Sequence, residues 1–213
     1  MSRFDLVIFD CDGVIIDSER LAARTESQIL TELGWPLSEA DVIERFVGRS
    51  SVYMQSVIEE KIGRRVDWHV EFEPRVREVC ERELVPVEGV IEALELITVP
   101  TCIASSSSHT MLNFKLGLTG LAERFAGRVF SADDVAHGKP DPAVFLLTAD
   151  SMGVAPDHCA VIEDSVSGVE AGLAAGMSVF AFSGGVTSAR QLDRDGVVLF
   201  DTMRLLPGLL ARP

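Results

Sequence analysis

Phe4-Asp5-Leu6-Val7-Ile8-Phe9-Asp10-Cys11-Asp12-Gly13 decides how the whole chain is read. Its first six residues are a short β-branched and aromatic run, the composition of a buried central strand, and the run stops at two carboxylates and a glycine. Working outward, residues from about 18 to 85 carry apolar positions at helical steps. Leu21, Ala22, Ile29, Leu30 and Leu33 halt at Gly34; Ser38 with Asp41 reads as an N-cap leading into Val42, Ile43 and Phe46; Val52, Met54, Val57, Ile58 and Ile62 follow. A further helical pattern over 70–84 is interrupted at Pro74. Beyond Pro86-Val87-Glu88-Gly89 the pattern changes to short strands at 101–105, 128–131, 160–163, 178–182 and 197–200, separated by helical segments. The expected fold is therefore α/β, a doubly wound, Rossmann-like parallel sheet whose first strand is cut off from the rest by an all-helical insertion. Residues 1–16 and 87–213 would form the core and 17–86 the helical lobe, placed over the carboxyl ends of the strands.

The chain has 213 residues, of which 47% are hydrophobic and 24% charged, a composition that supports a globular core. Its formal net charge of −14 opposes binding to nucleic acid or to anionic membranes. No apolar run is long enough to span a bilayer and the N-terminus lacks a secretory pattern, so a cytoplasmic protein is expected. Cys11, Cys80, Cys102 and Cys159 have no paired spacing and read as reduced, buried thiols. Trp35, Trp68 and Tyr53 are expected to pack the helical lobe, and Gly168, Gly172 and Gly176 to allow close helix packing.

Four polar clusters fall at predicted strand ends: Asp10 with Asp12, the serines 105–108, Gly138-Lys139-Pro140, and Glu163-Asp164-Ser165. A parallel sheet gathers these ends on one edge. Asp10 and Asp12, two residues apart, keep to one side while the strand lasts. So many carboxylates repel one another unless a cation relieves them, and hard oxygen donors suit Mg²⁺. Lys139 and a serine hydroxyl add the charge and donors that a phosphate dianion needs beside a carboxylate nucleophile.

Phe9-Asp10-Cys11-Asp12-Gly13-Val14, Asp17-Ser18-Glu19, Ser105, Lys139-Pro140-Asp141-Pro142 and Ile162-Glu163-Asp164-Ser165 with Gly168 and Gly172 resemble the ordered motifs of the haloacid-dehalogenase-like superfamily. The nearest branch is that of phosphatases and β-phosphoglucomutase-like proteins with a helical cap. The resemblance implies Asp10 as nucleophile forming an aspartyl-phosphate, Asp12 as general acid and base, Ser105 on a phosphoryl oxygen and Lys139 neutralising charge. It also implies Mg²⁺ held by Asp10, the Asp12 carbonyl and Asp164, with Glu163 close by or acting through water. Ser106 is a further phosphate candidate, and Arg49, in Phe46-Val47-Gly48-Arg49-Ser50, is a candidate contact to the leaving group. Ser107 and Ser108 read as ordinary surface hydroxyls, while His109, following the serines, is a minor candidate for lining the site.

The implied activity is Mg²⁺-dependent hydrolysis of a small phosphorylated metabolite, a sugar or sugar-acid phosphate such as 6-phosphogluconate, by a monomer or weak homodimer. Two alternatives stand beside it: a phosphosugar mutase and a phospho-accepting signalling module. Mutase relatives carry a histidine where this chain has Ala22, and signalling modules lack an inserted lobe. A metal-free dehalogenase would not need the acids at 12, 163 and 164.

Overall fold

The structure, a computed structural model, describes residues 3–211. Strand β1 (Leu6–Phe9) is fully buried and is followed by the helices α1 (Glu19–Glu32), α2 (Glu39–Phe46), α3 (Ser51–Ile62), α4 (Trp68–Glu71) and α5 (Glu73–Glu83). The chain then alternates: α6 (Val90–Leu96), β2 (Thr101–Ser105), α7 (His109–Leu118), β3 (Val129–Ser131), α8 (Ala143–Met152), β4 (Cys159–Glu163), α9 (Val166–Ala174), β5 (Ser178–Phe182), α10 (Ala189–Leu192), β6 (Val197–Phe200) and α11 (Leu206–Leu210). Among the described residues the strands form one sheet in the order β3-β2-β1-β4-β5-β6, with every pairing parallel. The order reverses at β1, and such a switch point opens a crevice beyond the carboxyl ends of the strands.

Both faces of the sheet are covered, which is why its strands read as nearly continuous apolar runs. Phe9, Ile103, Ile162 and Phe180 pack under α6, α7 and α11 on one face. Ile8, Ala104, Val161 and Val179 pack under α8 and α9 on the other. The inserted helices enclose a separate apolar cluster around Ile29, Leu30, Val42, Phe46, Ile58 and Phe72. Trp35 meets Phe46 edge-on at 6.3 Å and Trp68 stacks on Phe72 at 4.6 Å. Tyr53, in contrast, is exposed and lies under the Arg49 guanidinium, 5.1 Å from its carbon to the ring centroid. Pro74 does not merely interrupt one helix. It stands in the first turn of α5, where its missing N–H is not needed, and so separates α4 from α5.

Local sequence accounts for the lobe's boundaries. Ser38 and Asp41 close a reciprocal capping box on α2, and Ser50 caps α3. The lobe joins the core through two chain segments lying side by side: the Asp17 amide donates to the Val85 carbonyl at 3.0 Å and the Val87 amide to the Ile15 carbonyl at 3.1 Å. The four cysteines are free and buried, and no helix among the described residues is long and apolar enough to cross a membrane.

Candidate active site

The carboxyl ends of β1, β2 and β4 and the segment before α8 bring Asp10, Ser105, Glu163, Asp164 and Lys139 together. Lys139 Nζ donates to Asp10 Oδ1 at 2.5 Å, to Glu163 Oε1 at 2.6 Å and to the Ala104 carbonyl at 3.0 Å, so all three of its protons are used. With the Lys139 and Glu163 side chains each only 1% exposed, both charges depend on this pairing. Burial pushes the Asp10 carboxyl up to about 7 against the pull of Lys139, with Glu163 and Asp12 adding to the rise. Burial opposes the charge on Lys139, yet its two carboxylate partners prevail and hold its pKa above the ordinary lysine value.

Glu163 is saturated. Its Oε2 accepts from the Asp164 and Ser165 amides and from Ser165 Oγ, at 3.0, 3.0 and 2.9 Å. The segment leading into α9, with its N-cap Ser165, thus grips this carboxylate, and a Cβ at residue 168 would lie 1.8 Å from its Oε1, which is why glycine stands there. Asp164 is the opposite case. Its Oδ2 is buried without a hydrogen-bond partner, and burial, with the acids Glu19, Glu163 and Asp10 around it, drives its pKa well up despite Lys139.

Asp12 takes a different set of partners. Ser18 Oγ donates to its Oδ1 at 2.5 Å, Ser107 Oγ donates to its Oδ2 at 2.7 Å, and Lys115 Nζ pairs with Oδ1. Burial would raise the Asp12 pKa, but Lys115 and the two hydroxyls outweigh it and lower it. Ser107 is positioned in turn by the buried Ser131, whose hydroxyl donates to the Ser107 carbonyl at 2.7 Å. Lys115 was not singled out by the sequence reading, and Ser107, read there as an ordinary surface hydroxyl, is instead a partner of Asp12. Lys115 lies within α7, and helical side chains lean toward the N-terminus, which carries its ammonium back to the β2–α7 loop.

Ser105 is buried, accepts the Ser107 amide at 3.1 Å and lines the cavity above Asp10. Ser106 points instead to the helical lobe and donates to the Gly48 carbonyl at 3.0 Å, which Ser167 Oγ also reaches at 2.9 Å. Ser108 caps α7. His109 turns to Asp134 at 2.9 Å and is not among the residues lining the cavity. That cavity, of about 270 Å³, lies between lobe and core. Asp10, Asp12 and Ser105 form its floor, and Glu19, Ala22, Glu26, Phe46, Arg49 and Trp68 are among the lobe residues that line it.

Gly48 fits against Ser165 and Ser167 because it has no side chain. At φ +76°, a Cβ there would lie 2.3 Å from Ser165 Cβ, so Gly48→Ala combines a left-handed backbone with a steric clash. The expected result is a loop lifted off the core, with kcat/KM lowered about tenfold or more and only a modest fall in Tm. Steady-state kinetics on a phosphate ester and a thermal melt check this, and wild-type kinetics in the variant would contradict it.

No three His, Cys, Asp or Glu side chains among the described residues converge as a ready cation cage. The donors nevertheless fit Mg²⁺, which keeps several waters and needs few protein oxygens. The orphaned Asp164 Oδ2 lies beside Gly13, where a Cβ would come within 2.0 Å of it. That oxygen, Asp10 and the backbone carbonyl of Asp12 are the group that would hold the cation.

Residues 4–176 match the haloacid dehalogenase-like hydrolase family, and the chain belongs to it. The chain is 31% identical over 185 residues to the 6-phosphogluconate phosphatase of Escherichia coli K12, covering 85% of this chain and 84% of that one. Among solved structures it resembles a conserved haloacid dehalogenase-like protein of unknown function from Agrobacterium tumefaciens, with a TM-score of 0.83, 38% identity and 98% of each chain covered. It also resembles a putative β-phosphoglucomutase from Thermotoga maritima, with a TM-score of 0.72, 28% identity and coverage of 97% of this chain and 98% of that one. The chain is thus an enzyme of the hydrolase class, with phosphatases among its relatives.

Proposed function

We propose that this chain is a Mg²⁺-dependent phosphatase that hydrolyses small phosphorylated metabolites through an aspartyl-phosphate at Asp10. Sugar and sugar-acid phosphates, 6-phosphogluconate among them, are the favoured substrates. The observation that carries the reading is the geometry at Asp10: one carboxylate oxygen is fixed by Lys139 at the floor of a cavity that Ser105 and Asp12 share. The relative acting on 6-phosphogluconate supports the substrate class.

In this mechanism an Asp10 oxygen attacks phosphorus, the bond from phosphorus to the ester oxygen breaks, and Asp12 gives its proton to the departing alkoxide. Lys115 and the two hydroxyls favour the Asp12 carboxylate in the free site, so the proton it gives is taken up from solvent as the phosphate dianion binds and raises its proton affinity. Water then attacks the aspartyl-phosphate, its proton passes to Asp12, and inorganic phosphate leaves. Ser105 donates to a phosphoryl oxygen, and Lys139 lowers the cost of negative charge on Asp10 and the transferring group. When bound between Asp10, the Asp12 carbonyl and Asp164, Mg²⁺ supplies charge neutralisation for the phosphoryl oxygens. Glu163 serves here by holding Lys139, since both of its oxygens already accept hydrogen bonds.

Residues 17–86 act as a cap domain in this reading, sealed by the contact of Gly48 with Ser106 and Ser167, with Arg49 near the leaving group. Such closure excludes water from the reacting phosphate. The enzyme acts in the cytoplasm, as a monomer or weak homodimer. Ala22, on the α1 face that borders the cavity, leaves a mutase without an acid or base at that position.

The test is phosphate release from a panel of sugar phosphates, sugar-acid phosphates, nucleotides and phosphoglycolate, with and without EDTA. Release that EDTA abolishes and added Mg²⁺ restores supports the proposal. Isomerised sugar phosphate or a stable phosphoprotein without release would replace it with the mutase or the signalling reading.

A further inference from the structure

The cavity has an inner wall that the mechanism leaves unused. Lys115 Nζ borders it and makes one hydrogen bond, to Asp12, among the described residues, which leaves two N–H groups without a protein acceptor. Glu26 borders the same cavity and has no hydrogen-bond partner among the described residues. It lies on the face of α1 that also carries Glu19 and Ala22, because residues three, four and seven apart share a helix face. The neighbouring lining is mostly apolar, Ala22, Ala23, Val76 and Met111, and the carboxylates beside it on the same wall are Glu19 and Glu26, both attracted by Lys115.

Polar groups withdrawn from bulk water without partners are unfavourable, and here a cationic donor and a carboxylate acceptor front one enclosed space. Glu26 is half-buried, and desolvation at the cavity wall pushes its carboxyl up to about 7 against the attraction of Lys115. A hydroxyl group both accepts and donates, and so satisfies the two together.

We propose that Lys115 and Glu26 are specificity-determining residues that read hydroxyl groups on the leaving alcohol, Lys115 donating to a hydroxyl oxygen and Glu26 accepting a hydroxyl proton. This deepens the phosphatase reading and rests on it. The pair selects esters whose leaving group carries hydroxyls close to the phosphoester carbon. An alkyl phosphate of the same leaving-group basicity leaves both groups unsatisfied.

The test compares kcat/KM for sorbitol 6-phosphate and n-butyl phosphate, both esters of primary alcohols; the β-hydroxyl makes the sorbitol alkoxide somewhat less basic, an offset common to all variants that cancels when their ratios are compared with the wild type's. In the wild type the polyol ester is preferred. Glu26→Ala and Lys115→Met are each expected to reduce that preference about tenfold or more, as for loss of a hydrogen bond to a charged group. Glu26→Gln, which keeps an acceptor oxygen, retains part of it. Should Lys115→Met fail to fold, Lys115→Arg, which keeps the charge and moves the donors, is read in its place. A wild-type preference near unity, or variants that lower both rates equally, overturns the assignment and leaves the phosphatase intact. No phosphate release by the wild type from either ester or from p-nitrophenyl phosphate overturns the phosphatase reading, and this one with it.

Discussion

Asp10→Asn is expected to lower phosphate release by about 10⁴-fold or more, the scale seen when a covalent nucleophile is removed, while the protein stays folded. An amide oxygen is a poor nucleophile toward a phosphate dianion and cannot form the acyl-phosphate. The fold should tolerate the change because the two side chains have the same shape. Lys139 keeps its bonds to Glu163 and to the Ala104 carbonyl, and Asp10 is already disfavoured as an anion by its burial. Single-turnover assays for an acid-stable, hydroxylamine-labile phosphoprotein, with a thermal melt as control, give the readout. Retained turnover in a folded variant would remove Asp10 as nucleophile and with it the proposed mechanism.

Lys139→Met carries the second large effect, on stability and turnover together. The substitution leaves Asp10 and Glu163 facing each other in a buried site with no cation between them, and breaking a buried pair by removing one partner costs about 3–5 kcal/mol. Much of that penalty belongs to the stranded carboxylates. Adding Glu163→Gln to Lys139→Met should therefore recover part of the lost stability without recovering turnover, because the charge that faces the transferring phosphoryl group is still missing. Urea unfolding of the single and double variants, treated as a double-mutant cycle, measures this coupling. Additive losses would show that Lys139 and Glu163 do not stabilise one another as their 2.6 Å contact implies.

The sheet and its principal carboxylates were legible in the sequence because their signals are local. Buried strands announce themselves by apolar runs, and the runs at 101–105, 178–182 and 197–200 coincide with β2, β5 and β6. The polar residues that end β1, β2 and β4 had only one edge on which to meet. Lys115 had no such signal. It lies mid-helix, and its contact with Asp12 depends on how α7 packs back on the sheet, across 103 residues of chain. Ser107 was hidden for a related reason, since four consecutive serines look alike until the turn after β2 directs one to Asp12, one to the lobe and one to a helix cap. Glu163 and Asp164 are adjacent in sequence, yet the end of the strand sends one toward Lys139 and leaves the other beside Gly13. That division follows from backbone direction and not from residue type.

The paired segments at 15–17 and 85–87 have a bearing on how the chain reaches this state. β1 must find β2 and β4 across the whole helical insertion, and parallel pairing between distant segments is slow because loop closure precedes its reward. The lobe's cluster is built from residues within its own segment, so it can condense on local contacts. Once it does, its two ends emerge side by side, held by the Asp17–Val85 and Val87–Ile15 hydrogen bonds. A long excursion is thereby turned into a short bridge between neighbouring strands. Loop entropy grows only slowly with length, by roughly 0.6 kcal/mol for each doubling, and a preformed lobe removes much of even that. The order of events this favours is lobe first, sheet second, with the edge that carries Asp10 and Glu163 assembled last.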